Sequence, residues 1–273
     1  MQDWLIHPVV QGALLPFLAG LVASALLAPL RLAGLAAVAG FATAVYLVVG
    51  FEFSPMTTIR KVMLLGLIAP VLGVAADFAF KPKRAMAPLV AVASGALSVW
   101  VFLAVLTQKE LADALLIGGG IAAYVAWQVG FTLSLHEDSV RAGAAGLALG
   151  MGTGVAAVFA ASATLGLYAM ALGSASGAFL LVQMLTGRRI LAGIAFTLTT
   201  GLLAGLLGAT TYHLAQLPWY VLAVMAPVPL LARLPIPAKW PVWGQAVALS
   251  GATLTVSAVA CYLVWLSSRG ISE

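Results

Sequence analysis

Tyr124 and Gln128 stand one helical turn apart in an apolar stretch, with Trp127 beside them. A side-chain amide carries two donors and an acceptor, all of which need partners where water is absent. Gln128 is therefore the residue best suited to grip a polar solute. Hydroxyls fall near the centres of later apolar stretches: Ser174 and Ser176, then Thr197, Thr199 and Thr200, then Thr253. Such groups can bond a neutral or zwitterionic solute, or coordinate a cation through hydroxyl and carbonyl oxygens. Each can also bond the carbonyl one turn back in its own helix, the plainer role for any one of them. Pro227-Val228-Pro229 interrupts another stretch near its midpoint. Neither proline donates to a helical ladder, and carbonyls freed at membrane depth survive only when packed in protein or facing a watery cavity. The expected substrate-binding set is Gln128, Tyr124, Ser176, Thr197, Thr200, Pro227 and Pro229, with Asp77 as the candidate for ion coupling.

Catalytic chemistry finds little to work with. Asp77 lies four residues before Lys81, so a snorkelling acid paired with that basic loop is its first reading and ion coupling its second. Glu52, Glu110 and Asp113 flank apolar stretches instead of occupying them, which leaves no central carboxylate relay. Gly173-Ser174-Ala175-Ser176-Gly177 resembles the nucleophile turn of rhomboid proteases over those five residues alone. A serine nucleophile needs a histidine in reach, and His213, the sole downstream histidine, is displaced by roughly 18 Å at 1.5 Å per residue. His7, His136 and His213 fall near stretch ends with no His-x-x-x-His pair, so neither haem nor metal is expected. His136-Glu137-Asp138 is a single cluster, without the acidic Mg²⁺ motifs of isoprenoid transfer. It reads as a helix cap, Asp138 or Ser139 opening the next segment. There is no phosphate loop. The one cysteine, Cys261, excludes an internal disulfide or a cysteine metal cage and reads as a small buried hydrophobe. The expectation is a protein that is not an enzyme and carries no cofactor.

The elements that must position these residues are membrane helices. Hydrophobic side chains are 63% of the 273 residues and charged ones 8%, against about 25% charged in soluble domains. The charges fall in short clusters roughly 20 to 30 residues apart, the period of helices that each cross the bilayer with about 20 apolar residues. The net charge of +5 is too small and scattered for a nucleic-acid surface and suits loops against anionic lipid. Ten spans are placed near 8–28, 33–51, 62–79, 86–106, 111–134, 140–162, 165–186, 190–212, 217–233 and 242–266. They are helices, since strands in lipid need a closed barrel and two-residue alternation is missing. The start lacks a basic region before its apolar stretch, so the first span is expected to be retained. The fold expected is an all-α integral membrane protein, one domain over 1–273 with candidate halves 1–136 and 137–273.

Cation placement sets the orientation. With the N-terminus outside, the inner loops hold nine cations: Arg31, Lys81, Lys83, Arg84, Arg141, Arg188, Arg189, Arg233 and Lys239. The outer side keeps four, Arg60, Lys61, Lys109 and Arg269. Both termini are thus expected outside, in a bacterial-type inner membrane. Trp4, Trp100, Trp219 and Trp265 near the outer interface and Trp240 and Trp243 near the inner one fit that placement. An offset of roughly 130 residues pairs the five helices of each half, and Ser94-Gly95 falls at the place matching the proline break, as an inverted repeat of transporter type would have it. Glycines recur at four-residue steps at Gly146, Gly150 and Gly154, at Gly173 and Gly177, and at Gly201 and Gly205. Close backbone approach should make spans six to eight the tightest part of the bundle.

In length, helix count and Ala/Gly richness the chain resembles the small ten-helix permeases of the drug/metabolite type, which generally place their termini inside, opposite to the cation count here. The function expected is a small permease moving a neutral, zwitterionic or amphipathic solute by alternating access. The alternative is a non-catalytic multispan subunit or assembly factor of a larger membrane complex. The partners expected are the lipid bilayer and, beyond it, a second copy or other membrane subunits.

Overall fold

The computed structural model describes residues 7–79, 86–237 and 239–269, and within them every regular element is helical. Trp4, both chain ends and the basic loop at 81–84 lie outside the described residues. Eight helices are long and apolar enough to cross a membrane. The first runs Val10–Leu30, a π-helical turn (Val10–Leu14) leading into α1 (Leu15–Leu27). The others are α3 (Thr58–Ala79), α4 (Met86–Leu106), α5 (Leu111–Leu133), α6 (Ser139–Phe159), α7 (Ala163–Thr186), α8 (Gly193–Leu214) and α11 (Val242–Arg269). This is an integral membrane protein. Two further apolar segments are shorter: α2 (Ala36–Val48) with its 3-10 lead-in from Ala33, and the interrupted pair α9 (Trp219–Met225) and α10 (Val228–Leu231). At 1.5 Å per residue neither spans the roughly 30 Å hydrocarbon core alone.

The sequence causes both short segments. Gly50, at φ +79°, ends α2 in a left-handed turn that a side chain resists, its amide bonded back to the Val45 carbonyl. Pro227 and Pro229 withhold two amides from the ladder and split α9 from α10.

The core is built around α8, in which every residue from Gly193 to Thr211 is buried. Helices α3, α5, α6, α7 and α2 pack around it, while α11 lies along α6, α1 and α2 along α7, and α4 along α5. The most extensive pair is α6 with α7. There a Cβ on Gly150 would stand 2.5 Å from Gly173 Cα and 2.9 Å from the Ala169 carbonyl oxygen. Gly146 faces Ser176 and Thr200 in the same seam. Gly177 differs: its nearest neighbour would be a Leu147 methyl at 3.4 Å, an ordinary contact with no backbone approach. Gly201 and Gly205 open α8 toward α5, at Val129 and Val125, not toward α6 or α7. The outer faces of α3, α4 and α5 carry exposed leucines and valines such as Val71, Leu89, Leu111 and Leu116, the surface that lipid tails solvate.

The α5–α6, α7–α8 and α10–α11 connections meet at one end, hereafter the basic end. Asp138 caps α6, its carboxylate accepting from the Arg141 amide at 3.4 Å and from Arg141 Nε at 2.9 Å. Arg141 Nη1 also donates to the carbonyls of Ala232 (2.8 Å) and Leu234 (3.0 Å), and Arg189 Nη2 donates to Gln245 Oε1 at 2.7 Å. Ser139 Oγ donates to the buried Gln183 Oε1 at 2.6 Å. These bonds tie α6, α7, the segment after α10 and the start of α11 together.

Candidate functional site

The proline break and Gln128 meet in the structure. Pro229 has no amide to offer Met225, four residues earlier, and that carbonyl accepts instead from Gln128 Nε2 at 3.4 Å. The next carbonyl, Ala226, accepts from Trp127 Nε1 at 3.0 Å. Gln128 Nε2 also donates to the Tyr124 hydroxyl at 3.2 Å, whereas its Oε1 is buried without a hydrogen-bond partner among the described residues. Two neighbouring side chains of α5 thus pin the interrupted helix at its break, one of them through the carbonyl that Pro229 releases. Gln128 is completely buried.

The hydroxyl residues stand elsewhere. Ser176 Oγ donates to the Leu172 carbonyl (2.8 Å), Thr197 to Gly193 (3.0 Å) and Thr200 to Phe196 (2.9 Å), each one turn back in its own helix. Ser176 and Thr200 face each other across Gly146, in the α6–α7–α8 seam, while Gln128 and Tyr124 face α9 and the Gly205–Gly208 stretch of α8. Sequence position alone put all of them at mid-depth. Thr197 in fact lies one turn from the start of α8, and Gln128 five residues from the end of α5.

Asp77 caps a helix that is not its own. Its Oδ1 accepts from the Ile194 amide at 2.8 Å and its Oδ2 from the Ala195 amide at 3.1 Å. Ala192, at the N-cap position of α8, offers no side-chain acceptor. The carboxylate of α3 therefore fills the vacant role and meets the positive end of the helix dipole. Gly193, at φ +67°, keeps the space open, because a Cβ there would collide with that carboxylate.

A cavity of about 440 Å³ lies between α3 and α4, floored by α8. Its walls are apolar: Leu65, Ala69 and Leu72 of α3, Val90 and Leu97 of α4, Leu198 of α8. Ser94, from the weak point in α4, also lines it, while Gln128 does not. Since α3 and α4 scarcely touch, the cavity lies along the gap between them. At the basic end its rim is polar, formed by Ser134, His136 and Glu137. From Leu65 to Ala76 it follows α3 for roughly 16 Å at 1.5 Å per residue, so it runs from the basic end to mid-depth. Sequence reasoning missed this rim and read His136-Glu137-Asp138 as a cap alone. The usable signal was a histidine just past an apolar helix, where a ring nitrogen can close on the last carbonyls. No protein-family model matches the chain, and no curated protein aligns with it.

Proposed function

We propose that the protein is a small integral-membrane permease for an amphipathic solute, whose apolar chain seats between α3 and α4 with its head at Ser134, His136 and Glu137. The cavity carries this reading. Its volume is inside the usual range for small-molecule sites, about 300–1,000 Å³. A helix about 10 Å across fills roughly 420 Å³ per turn, so a partner helix gains one turn of contact there, whereas a slender chain fits lengthwise. Each methylene moved into such a slot contributes about 0.8 kcal/mol when it comes from water. Of the three expected solute classes, the apolar walls and polar rim favour the amphipathic one.

In this reading the ten apolar segments form two five-helix halves in a bacterial-type inner membrane, termini outside and basic end inside. Arg141, Arg188, Arg189 and Arg233 at one end support that placement. Alternating access between related halves draws support from the packing of α1 on α2 and α6 on α7, and of α4 on α5 and α9 on α11. The match is incomplete: α11 lies along α6, yet α5 has no comparable contact with α1.

The second reading, a non-catalytic subunit or assembly factor, is favoured by one observation. With α8 enclosed from Gly193 to Thr211, the centre is solid and the threonine hydroxyls of α8 are bonded to its own carbonyls. The deciding experiment is flux of a fluorescent single-chain amphipath in proteoliposomes, with Ala93→Trp as the variant. Ala93 is exposed and lines the cavity, so tryptophan fills it without entering the core. Flux abolished by Ala93→Trp supports the permease; no flux above empty liposomes, with native purification yielding a stoichiometric complex, supports the subunit.

A further inference from the structure

The rim of the cavity contains a histidine nitrogen without a hydrogen-bond partner among the described residues. His136 follows the last turn of α5, and its Nδ1 lies 2.8 Å from the Leu133 carbonyl. A carbonyl only accepts, so Nδ1 carries the proton, and in the neutral ring Nε2 is then a bare acceptor. That atom is buried and has no hydrogen-bond partner among the described residues. Glu137 Oε1 of the neighbouring carboxylate stands 3.8 Å away. This is too long for a hydrogen bond, and an ionised carboxylate is itself only an acceptor. A buried acceptor and an exposed carboxylate therefore stand side by side at the polar mouth of an apolar slot, and neither satisfies the other.

We infer that the cavity takes a single-chain amphipath whose head is a protonated primary amine, the ammonium donating to His136 Nε2 and resting against the Glu137 carboxylate. The inference rests on the cavity of the permease reading and adds the chemistry of the head. An ammonium has three donors and no acceptor, the complement of what the rim presents. A hydroxyl head satisfies Nε2 but gains no charge attraction from the carboxylate, and a carboxylate or phosphate head brings more acceptors to acceptors. Arg233, held on the same rim by its bond to Ser134 Oγ and 5.4 Å from the Phe131 ring, is placed to meet an anionic group further along a zwitterion. The amine position is separate from it.

The test compares heads on a constant chain. Hexadecylamine and hexadecanol are titrated into the purified full-length protein, alongside the lysolipids with ethanolamine and glycerol heads, which separate a free amine from an amine-bearing lipid. The amine members of both pairs should bind about tenfold or more tightly than their hydroxyl counterparts, as a charge-assisted bond would give. Glu137→Gln, at a solvent-exposed side chain, and His136→Phe should each reduce that preference to roughly twofold or less while the chain still binds. Equal affinity for amine and hydroxyl heads, with Ala93→Trp abolishing both, overturns the inference and leaves the permease reading standing. A preference that survives both rim variants overturns it as well. No binding of any probe overturns both readings together.

Discussion

Removing the Asp77 carboxylate separates the cap it forms on α8 from the ion-coupling role read in the sequence. Asp77→Ala deletes bonds of 2.8 and 3.1 Å to the first amides of α8. Loss of an N-cap costs typically about 1 and up to 2 kcal/mol, and a carboxylate at a helix N-terminus contributes about 0.3–1 kcal/mol through the dipole. The sum is about 1.3–3 kcal/mol. For a chain of this size each kcal/mol moves the midpoint by about 2–4 °C, so Asp77→Ala should lower Tm in a single detergent by about 3–12 °C. Asp77→Asn keeps one acceptor oxygen and loses the charge, and should fall by about half as much. Gly193→Ala supplies an internal control, since its φ of +67° and its collision with the carboxylate both penalise a side chain. Combined with Asp77→Ala the collision is relieved, so the double variant should be more stable than the sum of the two losses. Unchanged Tm in both Asp77 variants, with transport lost in Asp77→Asn, would refute the cap and restore the ion-coupling role.

Three further outcomes follow from the packing. Gly150→Ala should destabilise by about 1–3 kcal/mol through overpacking, while Gly177→Ala, beside a movable Leu147 methyl, should be neutral or stabilising by up to about 1 kcal/mol through helix propensity; thermal unfolding in detergent reads both. Gln128→Leu strands the Met225 carbonyl and should cost about 1–3 kcal/mol, and adding Pro229→Ala, which restores an amide at the right distance, should recover much of it. Arg141→Met releases the Ala232 and Leu234 carbonyls, so hydrogen exchange at residues 232–237 should accelerate while α6 and α7 stay protected.

Much of the fold was legible because lipid imposes a length and a composition on every crossing. The runs from 58 onward that stayed apolar for a full bilayer width became the long helices almost residue for residue. The two that failed, α2 and the α9–α10 pair, are those where Gly50 or the two prolines end the helix early, a difference of geometry that an apolar run does not reveal. The glycine steps foretold the α6–α7 seam at Gly150 but not the ordinary contact at Gly177, because spacing names a helix face and not its neighbour. Asp77 pointed toward Lys81 in the sequence; in space it meets amides more than a hundred residues away. The α3–α4 cavity was invisible for a related reason. Leu65, Leu72 and Val90 have the same chemistry whether they face a slot or a lipid tail.

The enclosure of α8 divides the molecule mechanically. Its hydroxyls at Thr197, Thr199, Thr200, Thr210 and Thr211 all bond its own carbonyls, so it needs no polar help from its neighbours beyond the Asp77 cap. A rod gripped on every face cannot tilt without displacing α3, α5, α6 and α7 together, and the glycine-zipped α6–α7 pair resists any such sliding. The compliance of the protein is therefore concentrated at its margin, where α4 leans on α5 and leaves α3 nearly untouched. α4, whose one extensive packing partner is α5, is the element that can shift beside α3 without disturbing the contacts of α8 with α3, α5, α6 and α7.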